Sequence, residues 1–185
     1  MNIDRQLHLR GNRDYLHSTT LFDDILSLRG NTVRQIDFIF NRKTGQQVSY
    51  CFEPVGSDVA PVAVWRDEEA TIYVVARDEP IDQSMSYDEP GLVARCEFAA
   101  DGNVRIPADL GAFTVMEALV AAFKALLQRT VATHNPQVVF ARIRLSKIPV
   151  LPLTIRYRRR IGEFYQGDIL ADGAGIGQIF FGEWK

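Results

Sequence analysis

The stretch Phe113-Thr-Val-Met-Glu-Ala-Leu-Val-Ala-Ala-Phe-Lys-Ala-Leu-Leu-Gln-Arg-Thr-Val131 constrains this chain more than any other. It opens on a capping-box pattern, in which Thr114 accepts from the backbone N–H three residues on and Glu117 reaches back to the N–H of Thr114. Asn135 and Pro136 supply a stop just beyond it. Ala, Leu, Met, Gln and Lys are good helix formers, so propensity agrees with the caps. The spacing predicts a helix over 114–131, a rod of roughly 27 Å at the helical rise. Glu117, Lys124 and Gln128 fall on one narrow stripe, and almost everything else up to Leu127 is apolar. A surface helix needs a single apolar face, so a helix apolar on most sides is wrapped by protein. The Glu, the Lys and the short apolar run argue against a membrane span.

A length of 185 residues fits one ordinary domain, or two small halves sharing a core. The division expected here is a single domain, 1–185, with an arm over 1–17, a helix plus β-hairpins over 18–110, and the central helix plus a four-stranded meander over 111–185. A hydrophobic fraction of 46% and a charged fraction of 24% exclude a disordered chain. Net charge says nothing about partners, but its distribution does. Cys51 to Asp109 holds thirteen acids and four bases, whereas Ala118 to Gly162 holds nine bases and no acid. Either the two regions face each other, within one chain or across a dimer, or the basic region meets an acidic partner. Cys51 and Cys96 lack metal-ligand spacing and read as buried thiols in a reducing compartment. Met1 is followed by Asn-Ile-Asp-Arg-Gln, with no apolar h-region, so no signal peptide is expected and the expected location is the cytoplasm.

Along the chain, residues 1–17 are polar and read as an arm, with His8 and His17 in it. Ser18 to Gly30 reads as a short helix with Ser/Thr at its cap, Asp23 and Asp24 in its early turns and Gly30 closing it. The two Asp are expected to complement the helix dipole on a solvated face. Val33–Asn41 and Gln46–Glu53 read as a hairpin across Gly45, and Pro61–Arg66 and Ala70–Arg77 as another across a solvated Asp67-Glu68-Glu69 turn. Asp78 to Pro90 reads as a loop and Leu92–Phe98 as a strand. After the long helix, period-two alternation over Val139–Lys147, Leu153–Arg160, Glu163–Ala171 and Gly175–Phe181 predicts strands with one wet face, the last two joined by the hairpin signal Asp172-Gly173. A long helix followed by four antiparallel strands curling around it is an α+β arrangement. Helices preceding β-rich lobes twice hint at a duplication, with no matching residues behind the hint.

Cys96-Glu-Phe-Ala-Ala-Asp-Gly-Asn-Val-Arg-Ile-Pro107, followed by Val115-Met-Glu-Ala-Leu119, resembles the helix entry of the β-hydroxyacyl–acyl-carrier-protein dehydratases of the hotdog fold. Phe164-Tyr-Gln-Gly167 with Asp172-Gly173 is similar to that family's last hairpin, and Pro149-Val-Leu-Pro152 to its Pro-Val-x-Pro-like loop. The resemblance covers about residues 92–181; Glu53 to Pro90 has no counterpart. It implies a hotdog-like fold, a curved antiparallel sheet wrapped around the central helix with an extra N-terminal β-rich portion, usually dimeric, that takes an acyl thioester on acyl-carrier protein or coenzyme A. The family's acid on the first helical turn matches Glu117, while Glu97 or Asn103 stands where the catalytic His belongs. Dehydration needs a base for the α-proton and an acid for the leaving hydroxyl, so loss of the imidazole argues against ordinary dehydratase activity.

Each candidate also has a structural reading. Glu117 serves the capping box, or, buried beside an apolar tunnel, donates a proton. Glu97 reads as an outward strand residue, Asn103 as turn chemistry and His134 as a partner of the helix's last carbonyls. No two His are spaced as metal ligands, and Gly175 and Gly177 lead into no helix, so neither metal nor cofactor is expected. Arg142, Arg144, Arg156, Arg158 and Arg160 are expected on one side of adjacent strands, a repulsive set that something must compensate. The compensator is the acidic lobe or a dimer mate, a carrier protein or coenzyme A phosphate, or, last, nucleic acid. Two function classes follow: a homodimer handling an acyl thioester, or a non-catalytic module docking an acidic protein through the basic sheet face.

Overall fold

The computed structural model describes residues 2–131 and 138–183, so the expected helix stop at Asn135-Pro136 and His134 lie outside the described residues. The chain divides into two compact units, Met1–Asp88 and Glu89–Lys185.

The first unit contains β1 (Asn2–Arg5), β2 (Leu9–Arg10), α1 (Ser18–Arg29), β3 (Arg34–Phe40), β4 (Gln46–Cys51), β5 (Ala63–Arg66), β6 (Thr71–Pro80) and β7 (Ser84–Met85). The N-terminal segment is no loose arm. β1 pairs antiparallel with β4, Ile3 opposite Tyr50, and Leu7 and Leu16 are buried. Paired backbone groups and buried leucines are what tie a chain terminus down. Strands β1, β4, β6, β5 and β3 lie in that order, while β2 and β7 form a separate parallel pair. The segments expected as one hairpin, β3 and β4, are both strands but pair elsewhere: β3 with β5 and β4 with β6. The β5–β6 hairpin stands as expected. Helix α1 packs through Phe22 against Phe38 and Trp65, with centroid separations of 5.6 and 5.1 Å.

Two carboxylates expected on solvated positions hold this unit together. Asp24 accepts from Arg5 Nε at 2.8 Å and from the buried Tyr50 hydroxyl at 2.7 Å, joining β1, α1 and β4. Desolvation first, then the Asp24 charge, pushes the Tyr50 hydroxyl far above its usual range. Asp67, its side chain 1% exposed, accepts from Arg29 Nε at 2.8 Å, Trp65 Nε1 at 2.8 Å and the backbone N–H groups of Glu69 and Ala70.

The second unit contains α2 (Glu89–Ala94), β8 (Glu97–Phe98), β9 (Asn103–Ile106), α3 (Val115–Thr130), β10 (Val138–Lys147), β11 (Leu153–Ile161), β12 (Phe164–Ala171) and β13 (Ala174–Glu183). The expected strand over Leu92–Phe98 is half helix: Pro90 sits in the first turn of α2, where its missing N–H costs nothing. The sheet order is β10-β13-β12-β11-β9-β8, antiparallel throughout. In both units a strand that precedes the main helix pairs with the second strand after it, β1 with β4 and β9 with β11, although β2 intervenes between β1 and α1. The last two strands are threaded differently, β4-β6-β5-β3 against β11-β12-β13-β10. The repeat hinted at by the sequence is therefore one of plan.

Helix α3 is buried from Met116 to Leu127 except at Lys124, whose ammonium donates to Glu89 at 2.9 Å. The sheet face toward it carries Ile143, Ile155, Ile169 and Ile179, all fully buried. Phe123 meets Phe181 edge-on at 5.4 Å and lies over Gly167, where any Cβ would stand 2.6 Å from its ring. Asp172 and Gly173, at φ 48° and 80°, form the tight β12–β13 turn that Asp-Gly predicts.

Candidate functional site

The approach to α3 is built residue by residue. Asp109 Oδ1 accepts the N–H of Gly111 at 2.8 Å, and Gly111, at φ 63°, turns the chain toward Thr114. Thr114 then caps the helix. Its Oγ1 accepts the Glu117 N–H at 3.1 Å, and Glu117 Oε2 accepts the Thr114 N–H at 2.9 Å, which completes the capping box expected from the sequence. Glu117 is 2% exposed, and its other oxygen, Oε1, is buried as well and lies outside the cap. A carboxyl group is thus oriented by a backbone bond in the first turn of a helix that is buried over most of its length and packs against β9. Such a group can hold or pass a proton at a fixed place.

The other two candidates of that set do not join it. Strand register places Glu97 opposite Arg105 and Asn103 opposite Arg156, in the rows flanking the inward Val104 row. Both therefore occupy the sheet face turned away from α3. Glu97 is exposed, with Arg105 Nη1 at 3.8 Å. Asn103 donates to Asp101 Oδ2 at 2.6 Å and accepts from Arg156 Nε at 3.3 Å.

The arginines largely share that outward face. Arg144 and Arg156 belong to the row Asn103–Arg156–Asp168–Gln178–Arg144, and Arg142 to the neighbouring row with Phe180 and Gln166. Arg158 also reaches Asp168, at 3.5 Å. Arg160 does not share the face. A bulge between Tyr157 and Arg159 shifts the alternation by one residue. Arg159 takes the outward position, with Nε 3.5 Å from Gln166, while Arg160 turns to the side of Tyr165 and Phe181 and pairs with Glu183 at 3.0 Å. Tyr165 donates to Glu183 at 2.5 Å, and that hydrogen bond first, with burial second, raises its pKa.

The first unit carries a titratable side chain that the sequence reading left in the arm. His17 is buried at the N-cap position of α1, its Nδ1 within 2.7 Å of Thr19 Oγ1 and its ring 5.8 Å from that of Tyr87. The signal was present: a His directly before Ser-Thr-Thr and an apolar run stands at a helix start. Cys51 and Cys96 are free thiols, each raised above its usual pKa by burial. Among the described residues, no group of His, Cys, Asp and Glu is arranged to hold a metal ion, and no helix is long and apolar enough to cross a membrane.

No family model matches the sequence, and no curated protein matches it. Solved structures do resemble the fold. The tesB protein of Mycobacterium avium subspecies paratuberculosis aligns with 100% of this chain and 93% of its own at 11% identity, with a TM-score of 0.50. The erythromycin dehydratase aligns with 97% of this chain and 85% of its own at 12% identity and a TM-score of 0.45. A dehydratase domain from Bacillus amyloliquefaciens aligns with 91% and 84% at 14% identity and a TM-score of 0.42. The structural neighbours are hotdog-fold dehydratase domains and thioesterases, and the fold of this chain is the hotdog fold, α+β with antiparallel sheet packed on a helix.

Proposed function

We propose that the protein binds and processes an acyl thioester, with Glu117 as the proton-transferring group. The observation that carries this reading is a buried carboxyl group in the first turn of α3, oriented through Oε2 by the Thr114 N–H, with Oε1 outside the cap. In the dehydration direction a base takes the proton α to the thioester carbonyl, and an acid protonates the β-hydroxyl, which leaves as water. In hydrolysis the carboxylate takes the proton of the attacking water. Glu117 suits the acid in the first case and the base in the second. Glu97 and Asn103 lie on the other face of the sheet, and this reading gives them no part in either step.

The test is turnover of 3-hydroxyacyl, enoyl and saturated acyl thioesters of coenzyme A by wild type and by Glu117→Gln. Glutamine still completes a capping box, so the variant keeps its fold while losing the proton. Turnover reduced at least about a hundredfold with substrate binding retained supports the reading, in line with the usual worth of general acid–base catalysis. Unchanged turnover leaves Glu117 a cap.

A further inference from the structure

A half-buried antiparallel sheet keeps its outward positions polar, and the end of the β11–β12 hairpin departs from that rule. Ile161 and Phe164 oppose each other at the last pair before the turn, in the outward row with Gly182. They are 44% and 47% exposed. The Phe164 ring lies over Gly182, where any Cβ would stand 3.3 Å from it, so the side chain rests on the sheet and is still half in water. Singly exposed apolar side chains need no explanation, but an opposed pair forms a patch. Arginines stand behind this patch on both faces of the hairpin. Arg159 is outward, its Nε 3.5 Å from the Gln166 amide oxygen, and Arg158, its side chain 58% exposed, lies 3.5 Å from Asp168. Through the bulge, Arg160 turns to the side of Tyr165, its guanidinium 5.4 Å from that ring and 3.0 Å from Glu183, with its side chain 52% exposed. Contacts between exposed charges contribute little to stability, so these arginines are not what holds the hairpin together.

We propose that the tip of the β11–β12 hairpin is an interfacial anchor for an anionic lipid bilayer. Ile161 and Phe164 enter the boundary between headgroups and acyl chains. Arg158, Arg159 and Arg160 lie within three residues of Ile161, roughly 10 Å along a strand, which sets them at the level of the lipid phosphates when the pair reaches that boundary. Their aliphatic stems cover apolar surface while the guanidiniums stay in the headgroup layer. Two observations favour a bilayer over a nucleic acid. A sheet that binds a single strand presents aromatic rings and cations on one face. Here Gln166, next to the apolar pair on the outward face, is buried, and the exposed pair at the tip includes an aliphatic side chain. A bilayer also surrounds a tip, so arginines on both faces of the hairpin meet phosphate. Glu163, in the turn beside Gly162, is an acid at the tip and limits how deep it goes. The anchor is independent of the thioester reading and of Glu117.

The experiment is co-sedimentation of the full chain with vesicles of phosphatidylcholine alone and of phosphatidylcholine with phosphatidylserine, roughly three to one, at low and moderate salt. Wild type is compared with Arg158→Gln/Arg159→Gln, with Ile161→Ser/Phe164→Ser, with Arg158→Lys/Arg159→Lys and with Glu163→Gln, the melting temperature of each being followed. Expected are saturable, salt-weakened binding of wild type and the lysine variant to the mixed vesicles and at least about a tenfold loss in the glutamine and serine double variants. Glu163→Gln should bind as tightly as wild type or more so, and melting should be unchanged throughout. If the serine double variant melts early, Ile161→Ser alone carries the apolar arm, with loss of binding again expected. Equal binding by all variants, no sedimentation of wild type, equal binding to vesicles of phosphatidylcholine alone, or capture of single-stranded RNA in place of the mixed vesicles overturns the proposal.

Discussion

Replacing Asp67 tests how the first unit is held together. Burial pushes its carboxyl upward, but hydrogen bonds from Arg29, Trp65 and the backbone of Glu69 and Ala70 outweigh it, and the pKa falls from 3.8 to about 2. A side chain only 1% exposed is little screened, so the shift converts to stability without a large discount. A depressed pKa means that the unfolded state binds the proton first as pH falls. The contribution is complete above about pH 5, is lost as pH drops through the unfolded value toward the folded one, and amounts to roughly 2 kcal/mol. Asp67→Asn removes this titration and turns an amide N–H₂ toward a set of donors, which costs a further few kcal/mol at neutral pH. Urea unfolding of both proteins at pH 7 and pH 2.5 is the assay. Wild type should lose roughly 2 kcal/mol more than the variant between these pH values. Parallel losses would refute the claim that Asp67 is held as a buried anion.

Gly167→Ala should destabilise by about 1–3 kcal/mol in urea unfolding, because its Cβ would lie 2.6 Å from Phe123 Cε2. Adding Phe123→Leu should recover part of that loss, and no recovery would locate the strain elsewhere. Tyr50→Phe removes a 2.7 Å donor from the charged Asp24 and should cost about 1.5–3 kcal/mol. A change below about 0.5 kcal/mol would show that Arg5 alone suffices there.

Local signals were legible in the sequence, and partners distant in the chain were not. The capping box of Thr114 and Glu117 and the Asp172-Gly173 turn are written in residues within reach of one another, and both stand as read. The hotdog resemblance rested on the same stretch. Alternation marked β3 and β4 as strands but carried no information on which strand each would pair with. Asp67 looked like one of three solvated acids, because Arg29, the partner that justifies its burial, lies 38 residues away. Arg160 left the expected face through a single bulge, which alternation alone does not reveal. His17 was passed over because polar neighbours suggested a loose arm, whereas β1 and the buried Leu7 and Leu16 fix that segment in the first unit.

The most direct measurement is single-turnover conversion of acyl–coenzyme A thioesters by wild type and Glu117→Gln at equal folded concentration. The account predicts conversion by wild type that falls at least about a hundredfold in the variant while thioester binding persists. Equal conversion by the two proteins would contradict it and leave Glu117 as the cap of α3.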